Sequence, residues 1–104
     1  MVSPERLAWS AAAGAVSALY RALESANGDE MRRLLSVAVG GFYDAYGRRW
    51  WKSERRECWN LCVRADFLAN GGLPADREVR ALISDAAVVV GELEAAMLKA
   101  EKAA

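Results

Sequence analysis

The chain has 104 residues, of which 54% are hydrophobic and 27% are charged, and its 14 acidic residues balance its 14 basic ones. This composition excludes an intrinsically disordered chain, and the length allows one domain, residues 1–104, with a hydrophobic core of its own. The chain contains no histidine, the commonest general base and metal ligand. We therefore expect a non-enzymatic protein with no catalytic residues, no metal site and no cofactor.

The first predicted helix begins after Ser3, whose hydroxyl can act as the N-cap, with Pro4 at the first helical position. Its apolar residues recur at helical spacing, which predicts one buried face. They are Trp9, Ala12, Ala13, Val16, Leu19, Tyr20 and Leu23. Asn27 and Gly28 predict a left-handed stop.

The second predicted helix starts at Asp29 as its N-cap. Its apolar stripe consists of Met31, Leu34, Leu35, Ala38, Val39, Phe42, Ala45 and Tyr46. Gly40 and Gly41 lie inside the stripe, where each glycine costs an isolated helix about 1 kcal/mol. Such a pair makes sense where another backbone comes close, and the stretch 11–15 of the first helix is the candidate. A kink at the glycine pair is the alternative.

Residues 47–52 form the predicted connection to a third helix, which Ser53 can cap. The inner face of this helix is expected to contain Cys58, Leu61, Cys62, Ala65, Leu68 and Ala69. The sequence Asn70-Gly71-Gly72 predicts its end, because glycine stops helices and Pro74 follows.

Asp76 is the expected N-cap of the longest helix. Its apolar stripe consists of Val79, Leu82, Ile83, Ala86, Val89, Val90, Leu93, Ala96, Met97 and Ala100. The last few residues are expected to fray. Four amphipathic helices with short connections predict an all-α, compact antiparallel bundle. The alternative is that the second and third helices run on continuously through 47–52.

The most informative segment is 47–64, GRRWWKSERRECWNLCVR, which holds six of the 14 basic residues and three of the four tryptophans. Arginine and tryptophan are favoured in binding surfaces, because they bury much area while losing little rotamer entropy. We predict that a partner binds here, through Arg48, Arg49, Trp50, Trp51, Lys52, Arg55 and Arg56. The alternative is that the tryptophans are buried in the core while the arginines stay solvated.

Two other groups of side chains are expected to be structural. Cys58 and Cys62 share one helix face, yet no other cysteine or histidine completes a metal site, so we interpret both as core residues. Three carboxylates interrupt apolar stretches and are each expected to pair with an arginine at a helix edge. They are Asp44, Asp66 and Asp85.

The oligomeric state is left open by the sequence. Val88, Val89 and Val90 follow one another, and three successive side chains on a helix point to more than one face. Part of this run is therefore a candidate contact with another subunit, and both a monomer and a homodimer remain possible. The longest uncharged run, Leu7 to Tyr20, is too short to cross a bilayer, so no membrane association is expected.

A protein partner is favoured over nucleic acid. The middle of the chain, 31–75, has eight cations against four anions, but Glu54 and Glu57 are interleaved with the arginines and reduce the field. An isoelectric point near 6.3 also disfavours nucleic acid as the main partner. A small nucleic-acid-binding regulatory protein that uses 47–64 is the alternative.

In size, helical composition and lack of catalytic motifs, the chain resembles the small all-helical anti-CRISPR proteins of bacteriophages. The resemblance is one of general character and includes no shared motif. It implies an inhibitor in the cytoplasm of the host cell that docks on a bacterial CRISPR–Cas effector complex and blocks its action. The predicted residues of 48–56 would then form the contact surface.

Overall fold

The computed structural model describes residues 2–48 and 52–103, apart from the side chains of 52–54. These residues form four α-helices: α1, Pro4–Glu24; α2, Gly28–Arg48; α3, Lys52–Asn70; and α4, Asp76–Ala103. Each helix packs against the next one along the chain, and α4 returns to pack against α1. The predicted all-α class and the bundle of four helices are confirmed.

The start of α1 follows the prediction. The Ser3 hydroxyl accepts a hydrogen bond from the Arg6 amide at 3.1 Å, and Pro4 occupies the first turn. The predicted end of α1 is wrong, because the helix stops at Glu24 and Ser25 is already extended, with φ −75° and ψ 129°. No left-handed glycine is needed there.

The N-cap of α2 is Asn27 and not the predicted Asp29. The Asn27 side-chain oxygen accepts hydrogen bonds from the amides of Asp29, at 2.8 Å, and Glu30, at 3.3 Å. Two amides that lack a partner inside the helix are thereby satisfied. Asparagine and aspartate are equally good N-caps, so residue type alone does not indicate which of Asn27 and Asp29 caps the helix.

The predicted close approach of α1 and α2 is confirmed, and it occurs at Gly41. A Cβ atom at this position would lie 2.7 Å from the carbonyl oxygen of Ala11 and 2.8 Å from the Cβ of Ala15. Gly40 has no such neighbour within 4 Å. α2 remains helical through both glycines. Only Gly41 is therefore required for the contact between the two backbones.

The predicted stripes of α2, α3 and α4 form most of the core, but the predicted stripe of α1 is largely wrong. Of its seven residues only Ala12 and Leu19 are buried, and Tyr20 is 54% exposed. The helix is rich in alanine, so its few large side chains did not indicate the buried face. That face consists of Ala8, Ala12, Ala15, Ala18, Leu19 and Ala22.

α1 contributes mainly small side chains to the core, whereas α2 and α4 contribute larger ones. The largest fully buried side chains are Phe42, Leu19, Leu34, Leu35, Leu82, Leu93, Val79 and Cys58. Alanines on α1 let α2 come close enough for the Gly41 contact, so the small residues of one helix and the glycine of the other act together.

α2 and α3 form an antiparallel hairpin, and the alternative of one continuous helix is wrong. The Cys62 thiol donates a hydrogen bond to the Val39 carbonyl at 3.6 Å, and the rings of Tyr46 and Trp59 lie 5.1 Å apart. Such pairs can meet only if the chain turns back between the two helices. Lys52 is already helical, so Ser53 lies inside α3 and is not the cap before it.

The connection from α3 to α4 also differs slightly from the prediction. α3 ends at Asn70 as expected, and the Gly71 amide donates to the Phe67 carbonyl at 3.1 Å. At the start of α4 the Ala75 amide donates to the Glu78 carboxylate at 3.2 Å, so Ala75 holds the capping position. Asp76, the predicted cap, is the first helical residue.

The end of α4 is anchored to α1, and the predicted fraying is not seen as far as Ala103, the last residue that the structure describes. Glu101 accepts two hydrogen bonds from Arg6, at 2.8 Å and 2.9 Å, and a third from the Ser3 hydroxyl at 3.0 Å. These contacts tie the last turns of α4 to the first turn of α1, and α4 remains helical as far as Ala103.

Candidate functional site

The hairpin of α2 and α3 brings aromatic side chains of one helix beside basic side chains of the other. Tyr43 and Tyr46 lie one turn apart near the end of α2, while Arg55 and Trp59 lie one turn apart near the start of α3. Residues three or four apart share one face of a helix. The antiparallel pairing then places the two faces next to each other.

The aromatic rings form a continuous row. The centroids of Tyr43 and Tyr46 are 6.1 Å apart, and those of Tyr46 and Trp59 are 5.1 Å apart, with tilts of 44° and 46° between the planes. These distances are in the range of favourable ring contacts. The row therefore has a defined geometry across two helices.

Arg55 is held against this row by two contacts. Its guanidinium carbon lies 4.7 Å from the centroid of the Tyr46 ring, and one of its terminal nitrogens donates a hydrogen bond to the Tyr46 hydroxyl at 3.1 Å. A cation over an aromatic ring at an exposed site contributes about 0.5–1 kcal/mol. Arg55 is exposed, so its other donors remain available to a partner.

A shallow hollow of about 410 Å³ opens between these side chains and is lined by Tyr46, Arg55, Arg56 and Trp59. Trp59 is 42% exposed and Tyr43 is 58% exposed. We call Tyr43, Tyr46, Arg55, Arg56 and Trp59 the basic–aromatic surface. It combines exposed rings with guanidinium groups and has the chemistry of a docking site for an acidic or aromatic group.

The predicted contact residues fall into three groups. Arg55 and Arg56 belong to the basic–aromatic surface. Arg48 lies half-buried nearby, and its guanidinium pairs with Asp44 at 3.4 Å. The remaining predicted residues lie outside the described part of the site, because the side chain of Lys52 is not described and neither are Arg49, Trp50 and Trp51.

Sequence reasoning omitted three members of the surface. The helical period predicts Tyr46 in the buried stripe of α2 and gives no role to Tyr43. Trp59 lies in the segment 47–64 but is not among the predicted contact residues. The spacing of Tyr43 and Tyr46 at the end of a helix, opposite Trp59 in a hairpin, was the available signal. This signal can be recognised only when α2 and α3 are known to form a hairpin.

The interpretation of the two cysteines as core residues is confirmed. Cys58 and Cys62 are buried on the inner face of α3, and they form no disulfide bond with each other. Burial, together with the negative charge of Asp66, raises the pKa of the Cys62 thiol above its ordinary value. At neutral pH this thiol therefore stays protonated and has little nucleophilic character.

The three carboxylates behave as predicted in two cases. Asp44 pairs with Arg48, and Asp85 accepts a hydrogen bond from Arg64 at 2.7 Å. Asp66 has no arginine partner among the described side chains and accepts a hydrogen bond from the Asn70 amide at 2.8 Å. Among the side chains of residues 2–48 and 55–103, no three metal-ligating groups come together at a point that could hold an ion.

No protein-family model, curated protein or solved structure matches the chain. Over the ranges that the structure describes, none of the helices has both the length and the apolar character that crossing a membrane requires.

Proposed function

We propose that the protein is a non-enzymatic inhibitor that binds another protein through the basic–aromatic surface. The observation that carries the proposal is the arrangement of Arg55, 4.7 Å from the ring of Tyr46 and beside the exposed ring of Trp59. Tryptophan, tyrosine and arginine are enriched among the few residues that carry most of the binding energy of a protein interface. Here they occur together on one hairpin of a preformed helical body.

The mechanism is steric occupation of a partner's surface. Trp59 and Tyr43 offer rings whose exposed parts can be buried on binding, while Arg55 and Arg56 can pair with carboxylates of the partner. Arg55 is already held by Tyr46, so little rotamer freedom is lost when the complex forms. An acidic face with an apolar centre is the complementary partner.

The partner that we propose is a bacterial CRISPR–Cas effector complex, in keeping with the resemblance to anti-CRISPR proteins. The support is the small helical body, its concentrated docking surface and a composition without histidine. The protein would act in the host cytoplasm by blocking guide loading, DNA access or nuclease recruitment. Arg48, Arg49, Trp50, Trp51 and Lys52 remain part of the proposed contact by their sequence position.

The functional test uses bacterial strains that each carry one active CRISPR–Cas system directed at the same phage. Expression of the protein is expected to restore phage plating in one of them, since an occupied effector no longer cleaves the phage genome. The measurement is the efficiency of plating with and without the protein. Unchanged plating in strains that represent every major system would remove the CRISPR–Cas effector from the proposal.

The surface itself is tested with the double variant Arg55→Ala/Trp59→Ala. We expect its affinity for the purified effector to fall at least about tenfold, because each truncation at an interface centre typically costs more than about 1 kcal/mol. The matched control is Tyr20→Ala/Arg21→Ala, which removes an exposed ring and an exposed arginine from α1. Equal affinity of both variants would show that binding occurs elsewhere.

Salt dependence separates the protein partner from the nucleic-acid alternative. For a protein that neutralises phosphates, the logarithm of the binding constant falls linearly with the logarithm of the salt concentration. The slope is about −0.9 for each phosphate contact on duplex DNA. A contact centred on Trp59 and Tyr43 is expected to depend only weakly on salt. A steep slope with purified nucleic acid, abolished in Arg55→Ala/Trp59→Ala, would favour the regulatory nucleic-acid-binding protein instead.

A further inference from the structure

The outer face of α3 has an exposed apolar row that begins in the basic–aromatic surface. Trp59, Val63 and Phe67 follow one another at intervals of four residues, so they lie on one face of the helix. Trp59 is 42% exposed, Val63 is 48% exposed and Phe67 is 77% exposed. We call these three residues the α3 row. Because Trp59 belongs to both, the basic–aromatic surface continues along α3 for about two further turns.

The charge along this face changes from one end to the other. Arg55 and Arg56 precede Trp59 by about one turn, and neither pairs with a carboxylate among the described side chains. Asp66 follows Trp59 by about two turns, on the same side of α3, and its described partner is the neutral amide of Asn70. The face is therefore positive at its start, apolar in the middle and negative at its end.

A hollow lies at each end of the α3 row. Trp59 lines the hollow of about 410 Å³ at the start, whereas Val63 and Phe67 line a hollow of about 430 Å³ at the end. Trp59 and Phe67 are separated by about 12 Å along the helix axis. Apolar side chains at positions i and i+7 of a second helix are separated by about 10.5 Å, so one such pair can reach both hollows.

We infer that the partner of the basic–aromatic surface presents an amphipathic helix, which lies along the α3 row with acidic residues over Arg55 and Arg56 and a basic residue over Asp66. The argument is charge complementarity, joined to the continuity of the α3 row with the basic–aromatic surface. Amphipathic helices bind hydrophobic grooves through anchors at i, i+3, i+4 and i+7. The inference rests on the proposed function of this surface, but not on the identity of the partner.

The same charges disfavour a nucleic-acid strand along the whole face. Arg55 and Arg56 suit phosphate groups at the start, but Asp66 repels them at the end. The most exposed ring, that of Phe67, lies beside this carboxylate in the chain. A protein helix can place a charge of the right sign at each end, whereas a strand of phosphates carries only one sign.

The first experiment selects peptides from a display library of random 16-residue sequences on the purified full-length protein. The selected sequences are expected to have apolar residues at helical spacing, with aspartate and glutamate concentrated at one end. Their affinity is expected to fall at least about tenfold for Phe67→Asp, because a charge replaces an apolar contact. The matched control is Tyr20→Asp, which places the same charge at an exposed ring on α1.

The selection can also contradict the inference. Failure to enrich any peptide would overturn it, as would peptides that are basic throughout or lack a helical period. Equal losses of affinity for Phe67→Asp and Tyr20→Asp would show that the peptides bind away from the α3 row. Circular dichroism verifies that both variants are folded, since both rings are more exposed than buried.

The second experiment reverses the charge at the start of the face with Arg55→Glu/Arg56→Glu. The tightest selected peptide is expected to lose affinity for this variant at least about tenfold. A second peptide, whose acidic residues are replaced by lysine, is expected to recover that affinity. A misfolded variant predicts weak binding of both peptides, so recovery shows that the two charged ends meet. Unchanged affinity of the first peptide would overturn the proposed alignment.

Failure of this inference can be told apart from failure of the proposed function. Peptide binding requires no effector complex, so it can succeed where the plating test fails. A protein that restores plating while Phe67→Asp keeps its full affinity for the effector would retain the proposed function and overturn the helix. Sedimentation equilibrium tests a second copy as the occupant, and a dimer that Phe67→Asp dissociates would also overturn the inference.

Discussion

The contact between α1 and α2 is tightly packed, whereas the contact between α3 and α4 leaves hollows between the helices. At the first contact Gly41 lies against the backbone of Ala11 and against Ala15, so the helices approach as closely as backbones allow. At the second contact, hollows remain on both sides of Arg64 and Asp85, and Phe67 and Val88 stand exposed.

The difference between the two contacts depends on the size of the side chains that meet there. At the contact of α1 and α2, small residues let the two backbones meet, so no hollow remains beside Gly41. At the contact of α3 and α4, bulkier residues are only partly covered and Phe67 and Val88 stay exposed. A tight contact is sensitive to added volume, whereas an open face tolerates changes in the isolated chain.

The largest loss of stability is expected for Gly41→Ala. The new methyl group would lie 2.7 Å from the Ala11 carbonyl oxygen, an obstacle that belongs to the backbone and cannot rotate away. We expect the free energy of unfolding to fall by about 2–3 kcal/mol, the upper part of the range for overpacked cores. Urea denaturation followed by circular dichroism measures it.

Gly40→Ala is the matched control for this change. Nothing lies within 4 Å of its Cβ position, so only the higher helix propensity of alanine remains. We expect the free energy of unfolding to rise by about 1 kcal/mol. If both alanine variants were equally stable, the close approach at Gly41 would not exist in solution.

The second comparison uses neighbouring valines of α4. Val89 is 5% exposed and Val88 is 62% exposed. Val89→Ala is expected to lower the free energy of unfolding by about 1.5 kcal/mol, because two buried carbon groups are lost. Val88→Ala is expected to change the free energy of unfolding by less than about 0.5 kcal/mol, because Val88 is exposed.

Both variants gain the same helix propensity, so their difference isolates burial. Equal losses for the two variants would contradict the burial of Val89 and the exposure of Val88.

The fold was largely predictable because its elements are strongly periodic. The stripes of apolar residues on α2 and α4 predicted the buried residues, and Gly41 predicted the approach of α1. Errors occurred on the alanine-rich α1, where few large side chains mark the buried face, and at helix ends, where several residues can occupy one capping position. Asn27 and not Asp29 caps α2, because its side chain reaches the free amides. Ala75 and not Asp76 precedes α4, and there the Ala75 amide donates to the Glu78 carboxylate.

The candidate site was less predictable, because it depends on which residues meet across the hairpin. Sequence composition indicated Arg55 and Arg56, but the ring that lies against Arg55, that of Tyr46, comes from α2. Tyr46 has the helical spacing of a core residue and is half-buried. Periodicity therefore predicted its buried side but not the exposed side that contacts Arg55. Long-range pairs such as Arg6 with Glu101 leave no local signal at all.

The smallest expected effect concerns the other edge of α4, where Glu101 meets α1. Hydrogen bonds from Arg6, and to a lesser extent from Ser3, lower the pKa of Glu101 below its ordinary value of 4.5. A lowered pKa in the folded state means that the ion pair stabilises the protein fully above about 4.5 and loses its effect as the pH falls through the folded value.

Glu101→Gln removes the charge and should therefore lower the midpoint of thermal unfolding near neutral pH, by a modest amount because the pair is partly exposed. The gap between the two proteins should close at pH values well below 4.5. Asp85→Asn is the informative counterpart, since Asp85 accepts one hydrogen bond from Arg64 where Glu101 accepts two from Arg6. The loss is expected to be larger for Glu101→Gln. A larger loss for Asp85→Asn would show that the ion pair between α3 and α4 stabilises the protein more than the pair between α4 and α1.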